Sequence, residues 1–136
     1  MSQENETIFS RYLEEIWNKG NLTLVDELIT TDFVQHTPGG DVKGYEAFKQ
    51  YVTAFRTAFP DLHFTIVSSI DKGDKVDTCW SLTGTHKGEF LGIAATGKHI
   101  TLQGITVTRF AEKKLAENWL YWDRLSMLEQ LGVAPK

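Results

Sequence analysis

The chain has 136 residues, 41% hydrophobic and 24% charged, with a net charge of −4. That length suits one domain, residues 1–136, with a real core, and the composition excludes disorder and fibrous repeats. Lys and Arg are scattered and outnumbered by acids, which argues against nucleic-acid and anionic-membrane partners, and no apolar run reaches bilayer length. From Thr7 to Asn18 the apolar residues Ile8, Phe9, Tyr12, Leu13, Ile16 and Trp17 recur as adjacent pairs four apart, the pattern of an amphipathic helix ended by Gly20. Leu22 to Ile29 predicts a second, short helix, and Thr31 to His36 leads out of it into the turn residues Thr37-Pro38-Gly39-Gly40. Gly44 to Phe59 predicts a third helix carrying Phe48, Tyr51, Val52, Phe55 and Phe59, stopped by Pro60.

After Asp61 the period changes to alternation. Leu62 to Val67 and Val76 to Thr85 predict a β-hairpin around Gly73-Asp74, and His99 to Phe110 with Leu115 to Arg124 a second around Glu112-Lys113. Gly88, Gly92 and Gly97 break the pattern between the hairpins, and Met127 to Leu131 predicts a closing helical turn. Helices first and antiparallel strands afterwards imply α+β: a cone-shaped barrel whose curved antiparallel sheet wraps three N-terminal helices and encloses a pocket.

Several chemistries are missing. The four histidines, His36, His63, His86 and His99, have no zinc spacing, and there is no phosphate loop, dinucleotide fingerprint or nucleophile elbow, so neither a metal nor an organic cofactor is expected. Cys79, the single cysteine, permits no intrachain disulfide. Met1 to Glu6 lacks a basic region followed by an apolar run, so a cytoplasmic location is expected.

The C-terminal run Glu117-Asn118-Trp119-Leu120-Tyr121-Trp122-Asp123-Arg124 puts Asp123 in period-two register with Trp119 and Tyr121. A carboxylate on an aromatic strand face is either paired or chemically useful. Asp123 is therefore the candidate acid/base, and the competing reading is a structural carboxylate paired with Arg109, Arg124 or a backbone amide. Arg109 faces the pocket or the outside depending on hairpin register: inward it would polarise a substrate oxygen, outward it would pair with Glu117. His36 and His86 stand at candidate pocket rims, as polarisers or as packed imidazoles. Trp17, Trp80, Trp119 and Tyr121, with Phe55 of the third helix, are candidates to line a substrate cavity, or ordinary core.

Phe33-Val34-Gln35-His36-Thr37-Pro38, Phe59-Pro60-Asp61-Leu62, Gly84-Thr85-His86-Lys87-Gly88-Glu89, Ala95-Thr96-Gly97-Lys98 and Trp119-Leu120-Tyr121-Trp122-Asp123 together resemble the SnoaL-like polyketide cyclases, or ester cyclases, over nearly the whole chain. The resemblance implies the cone-shaped fold shared with nuclear transport factor 2, ketosteroid isomerase and scytalone dehydratase. It also implies a cofactor-independent intramolecular aldol closure in which Asp123 removes a proton from a carbon between carbonyl groups. The partner histidine that the cyclases carry on the preceding strand has no counterpart, and Arg109 stands at about that place. A small carbonyl-bearing, largely apolar or aromatic substrate is thus expected, with aldol cyclisation or isomerisation as the reaction. An epoxide hydrolase-like enzyme using Asp123 and Arg109, or a non-catalytic small-molecule-binding module of the same fold, are the alternatives. The outward face of the long strands, with Thr, Ile, Leu and Trp, predicts a homo-oligomer, dimer or tetramer.

Overall fold

The computed structural model describes residues 2–132, with side chains from residue 4 onward. Helix α1 (Ser2–Tyr12) runs into a π-helical turn, Leu13–Asn18. A π turn closes five residues apart rather than four, and here Lys19 N–H donates to Glu14 O at 3.0 Å. The wider turn brings Trp17 around onto the side of Tyr12, so that the indole Nε1 donates to the Tyr12 hydroxyl at 3.0 Å. Arg56 closes the frayed end, donating to the carbonyls of Trp17 and Asn18 at 2.6 and 2.9 Å.

The predicted second helix is shorter than its spacing suggests: a 3₁₀ turn (Leu22–Leu24) and a single α turn, α2 (Val25–Leu28). Ile29 already belongs to strand β1 (Ile29–Thr37), which folds back on β2 (Gly40–Lys43). These two strands replace the irregular segment expected there. Helix α3 (Gly44–Ala58) follows, then β3 (His63–Asp71), β4 (Lys75–Thr85), β5 (His99–Ala111), β6 (Lys114–Trp122) and α4 (Arg124–Leu131). The six strands form one sheet in the order β2-β1-β6-β5-β4-β3.

The expected all-antiparallel sheet is corrected at one seam, because β1 runs parallel to β6, with His36 opposite Trp119. The fold is the α+β sheet-and-helix architecture that was anticipated: a curved, unclosed sheet holding helices against its inner face. In β4 the alternation is strict, with Val76, Thr78, Trp80, Leu82 and Gly84 turned inward. Phe9, Ile16 and Trp17 from the first helix and Phe48 and Val52 from α3 meet them in one core.

A bulge sets the facing of β6. Across the β5–β6 turn Phe110 pairs with Leu115, but Arg109 pairs with Glu117, so Ala116 is an extra residue. Leu115 and Ala116 are both buried, and beyond them Asn118, Leu120 and Trp122 point inward while Glu117, Trp119 and Tyr121 point out. A one-residue offset exchanges the faces of every following side chain.

Candidate active site

A cavity lies between the first helix, α3 and the inner face of β4, β5 and β6. Its wall is aromatic and aliphatic: Phe9, Leu13, Trp17, Tyr51, Phe55, Phe64, Trp80, Leu82, Leu102, Leu120, Trp122 and Met127. The polar groups that reach it, Tyr12, Gln35, Tyr51, Thr106 and Asn118, are all neutral. At its floor Thr108 Oγ1 donates to Asn118 Oδ1 at 2.7 Å, and Asn118 Nδ2 donates to Gln35 Oε1 at 3.0 Å, tying β5 to β6 to β1. Each of these three side chains is almost fully buried, so each bond replaces hydration that burial removed.

The phenols are donors rather than bases. Burial pushes Tyr12 well above its ordinary value and Tyr51 up to about 12, so both keep their protons at neutral pH. The Arg124 guanidinium is near enough to Tyr51 to oppose that rise slightly. Trp80 Nε1 donates to Thr106 Oγ1 at 2.9 Å, which fixes the indole across the sheet.

The residues expected to form the site are distributed over four places. Trp17, Trp80 and Phe55 line the cavity. Trp119 and Tyr121 do not: the β6 bulge leaves them on the outer face, where Tyr121 is 59% exposed. Asp123 is not on a strand face with them either. It is the exposed N-cap of α4, its Oδ1 accepting Ser126 N–H at 2.9 Å. Asp123 directly follows Trp122, a cavity residue, and so stands at the end of the inner wall rather than inside it.

Arg109 faces outward and pairs with Glu117 through Nε at 3.1 Å, the outward alternative of the two registers. His36 joins the same outer network: Nε2 lies 2.6 Å from Glu117 Oε2 and Nδ1 2.9 Å from Asp41 Oδ1, with the ring stacked on Trp119 at 5.4 Å. Those two carboxylates raise the His36 pKa, and the hydrogen bond to His36 is the main cause of a lowered Glu117 pKa. His36 and Arg109 are therefore on the wrong side of the sheet to polarise a ligand in the cavity. His86 is fully buried against Phe59, ring centroids 5.4 Å apart, with Nδ1 accepting Thr96 N–H at 3.2 Å. It is a packed imidazole away from the cavity lining.

Sequence reasoning missed Tyr12, Gln35, Tyr51, Thr106 and Asn118 as site residues. A polar side chain at an inward position of an alternating strand, such as Thr106 between Gly104 and Thr108, was the available signal. Among the described residues no group of three or more His, Cys, Asp or Glu side chains is placed to hold a metal ion. No described helix is long and apolar enough to cross a membrane.

A family model for SnoaL-like polyketide cyclases matches residues 7–131. The aklanonic acid methyl ester cyclase DnrD of Streptomyces peucetius is 28% identical over 90% of this chain and 87% of its own length. The candidate polyketide cyclase of Acidithiobacillus ferrooxidans superposes with a TM-score of 0.86 at 33% identity, covering 99% of both chains. The SnoaL-like protein of Jannaschia sp. CCS1 shares the fold with a TM-score of 0.90 at 23% identity, over 99% of this chain and 95% of its own. The chain belongs to the SnoaL-like polyketide cyclase family, and so to the cyclase-type enzymes that share this architecture.

Proposed function

We propose that the protein is a cofactor-independent cyclase that closes a ring within an aromatic, carbonyl-bearing substrate by an intramolecular aldol reaction. The observation that carries this reading is the cavity itself: aromatic walls, a neutral hydrogen-bonding floor and no charged side chain in the lining. Such a site favours a largely apolar molecule and penalises a free anion. An enolate forming there needs hydrogen-bond donors near its oxygen, and the Tyr51 hydroxyl, still protonated at neutral pH, supplies one.

The base is Asp123. Both cavity phenols keep their protons at neutral pH and so are not bases; Asp123 is taken as the base because it follows the lining residue Trp122 and matches the acid/base aspartate that the resemblance to the cyclase family implies. Oδ1 is occupied by the Ser126 N–H, and Oδ2 accepts no hydrogen bond from the described residues. Asp123 takes a proton from the methylene between two carbonyl groups; the resulting enolate carbon attacks a third carbonyl elsewhere in the same molecule; the alkoxide so formed then receives the proton from Asp123. Atoms balance, and substrate and product are isomers. A positioned base contributes about 10² to 10⁴-fold. Trp17, Trp80 and Phe55 hold the aromatic part of the substrate, and the cytoplasm is the proposed location.

The outer face of β3 to β6 carries Val67, Ile105, Trp119 and Tyr121. Four strands spaced about 4.8 Å apart and roughly 30 Å long give this face a flat footprint of about 600 Å², which side-chain relief raises toward the roughly 800 Å² per partner of a standard interface. A second copy of the chain is the proposed occupant.

The test of the activity is incubation with an anthraquinone bearing a β-keto ester side chain. Formation of a product of unchanged mass, with one carbonyl and the methylene replaced by a ring carbinol, supports the cyclase reading. Saturable binding without any conversion, across a panel of chain lengths, favours a binding module instead.

A further inference from the structure

The cavity is nearly full of its own side chains. Its open volume is about 40 Å³, where one water needs roughly 10–15 Å³ and ligand sites run to several hundred. An aromatic substrate of the kind proposed does not fit that space unless a wall moves, and a fused-ring one needs the larger movement.

Phe55 is the ring that fills the middle. Its centroid lies 5.8 Å from Trp17, 5.1 Å from Tyr51 and 6.3 Å from Trp122, all lining residues. Its nearest ring is Phe90, at 4.9 Å, which comes from the connection between β4 and β5 and also packs on Phe59 at 5.5 Å. Phe90 is 7% exposed, yet the next residue, Leu91, is 57% exposed.

The backbone around Phe90 is tied down on both sides and free between. Lys87 and Gly88 donate to Ala58 O at 2.8 and 3.1 Å, and Gly97 donates to His86 O at 2.8 Å. Gly88 is needed at its tie, because a Cβ there would collide with Thr57 O. Thr96 N–H adds a tie to His86 Nδ1 at 3.2 Å, and between Glu89 and Ala95 the turn is held by Phe90 N–H to Ile93 O at 3.0 Å and Ile93 N–H to Phe90 O at 2.9 Å. Its two central residues, Leu91 and Gly92, have φ of 52° and 79°; a leucine there is strained. Residues 89–95 thus form a short arm whose one buried side chain is Phe90, with Ile93 half-buried beside it.

We propose that Phe90 and Phe55 determine the size of the accepted substrate: the 89–95 arm withdraws Phe90, Phe55 turns into the vacated space, and the cavity then admits a fused-ring molecule. This rests on the cavity being the substrate site. A single-ring ligand needs a smaller displacement of the same rings.

The experiment is stopped-flow quenching of tryptophan fluorescence by two neutral carbonyl probes, 4-nitroacetophenone and 1,8-dihydroxyanthraquinone, in the wild type, Phe90→Leu and Phe90→Ala. The leucine variant retains apolar packing and covers the case in which alanine unfolds the core. The anthraquinone should associate about tenfold faster as position 90 shrinks, while the single-ring probe changes less than about twofold. Equal acceleration of both probes, or none of either, overturns the size-determining role while leaving the substrate site standing. Failure of both probes to quench any variant overturns the cavity as ligand site and this proposal with it.

Discussion

The indole of Trp80 lies where a side chain on Gly104 would stand: an ideal Cβ at 104 would collide with Cζ2 and Cη2 of the ring. Gly104 faces inward on β5 opposite both Trp80 and Trp122, and it lets the indole lie across the strand to reach Thr106. Gly104→Ala should therefore destabilise by about 1–3 kcal/mol through overpacking, read as a lower urea midpoint at unchanged slope. It should also expel Trp80 from its place, seen as a red-shifted tryptophan emission. Wild-type stability in this variant would mean that the indole has another resting position.

The floor network predicts a cost of a different kind. Asn118→Ala removes both partners at once, leaving Thr108 Oγ1 without its acceptor and Gln35 Oε1 with only the long 3.5 Å bond from the Tyr12 hydroxyl, at near-complete burial. Each orphaned group costs about 1–3 kcal/mol. Asn118→Ala should lose more stability in thermal unfolding than Thr108→Val, which removes the donor and leaves one acceptor orphaned.

The outer network predicts a pH dependence with a definite sign. The His36 pKa is raised above 6.5 in the fold, so its stabilisation is full below that value and fades as pH rises through the folded pKa. Glu117 is lowered below 4.5, so its contribution is full above that value and fades as pH falls through its own folded pKa. Both act together between pH 4.5 and 6.5. The difference in unfolding free energy between wild type and His36→Gln should be largest near pH 5.5 and shrink steadily above neutrality. A pH-independent difference would show that His36 acts through its stacking on Trp119 alone.

The proposed self-association is tested by a charge on the outer face. Ile105 is 43% exposed at the centre of that face, and Ile105→Glu would bury two carboxylates against each other across a two-fold axis. Sedimentation velocity should show the wild type as a dimer or larger and the variant shifted to monomer with an unchanged circular dichroism spectrum. A monomeric wild type at 100-fold dilution steps up to millimolar concentration removes the interface.

Much of this fold is legible in residue periodicity. The four-apart pairs around Phe9, Leu13 and Trp17 mark the first helix, and the alternation from Val76 to Gly84 marks β4. β1 escapes because its pattern is broken: Thr30, Thr31 and Asp32 separate Ile29 from Phe33, and a register shift lies between Ile29 and Val34. Its partner β6 is distant in the chain and runs parallel, so no local turn announces the pairing. The site is less legible first because of the extra residue Ala116. Without that bulge in view, Trp119 and Tyr121 read as well for the inner face as Asn118, Leu120 and Trp122 do. Asp123 illustrates a second limit, since the strand alternation that placed it with Tyr121 stops at Trp122, where α4 takes over. Aspartate immediately before a helix is also among the preferred caps, and that competing signal was present in Asp123-Arg124-Leu125-Ser126.

Capping and catalysis at Asp123 separate cleanly by substitution. Asparagine caps a helix about as well as aspartate, whereas alanine costs about 1 kcal/mol. Asp123→Asn should keep the wild-type unfolding midpoint and Asp123→Ala should lower it, while both lose the base.

The most direct measurement is deuterium incorporation from heavy water into the activated methylene of an aromatic β-keto ester, comparing wild type with Asp123→Asn at equal folded fraction. Exchange by the wild type, reduced about 10² to 10⁴-fold in Asp123→Asn with its stability intact, is the result predicted. Exchange at the wild-type rate in Asp123→Asn would contradict the account and leave Asp123 as the cap of α4 alone.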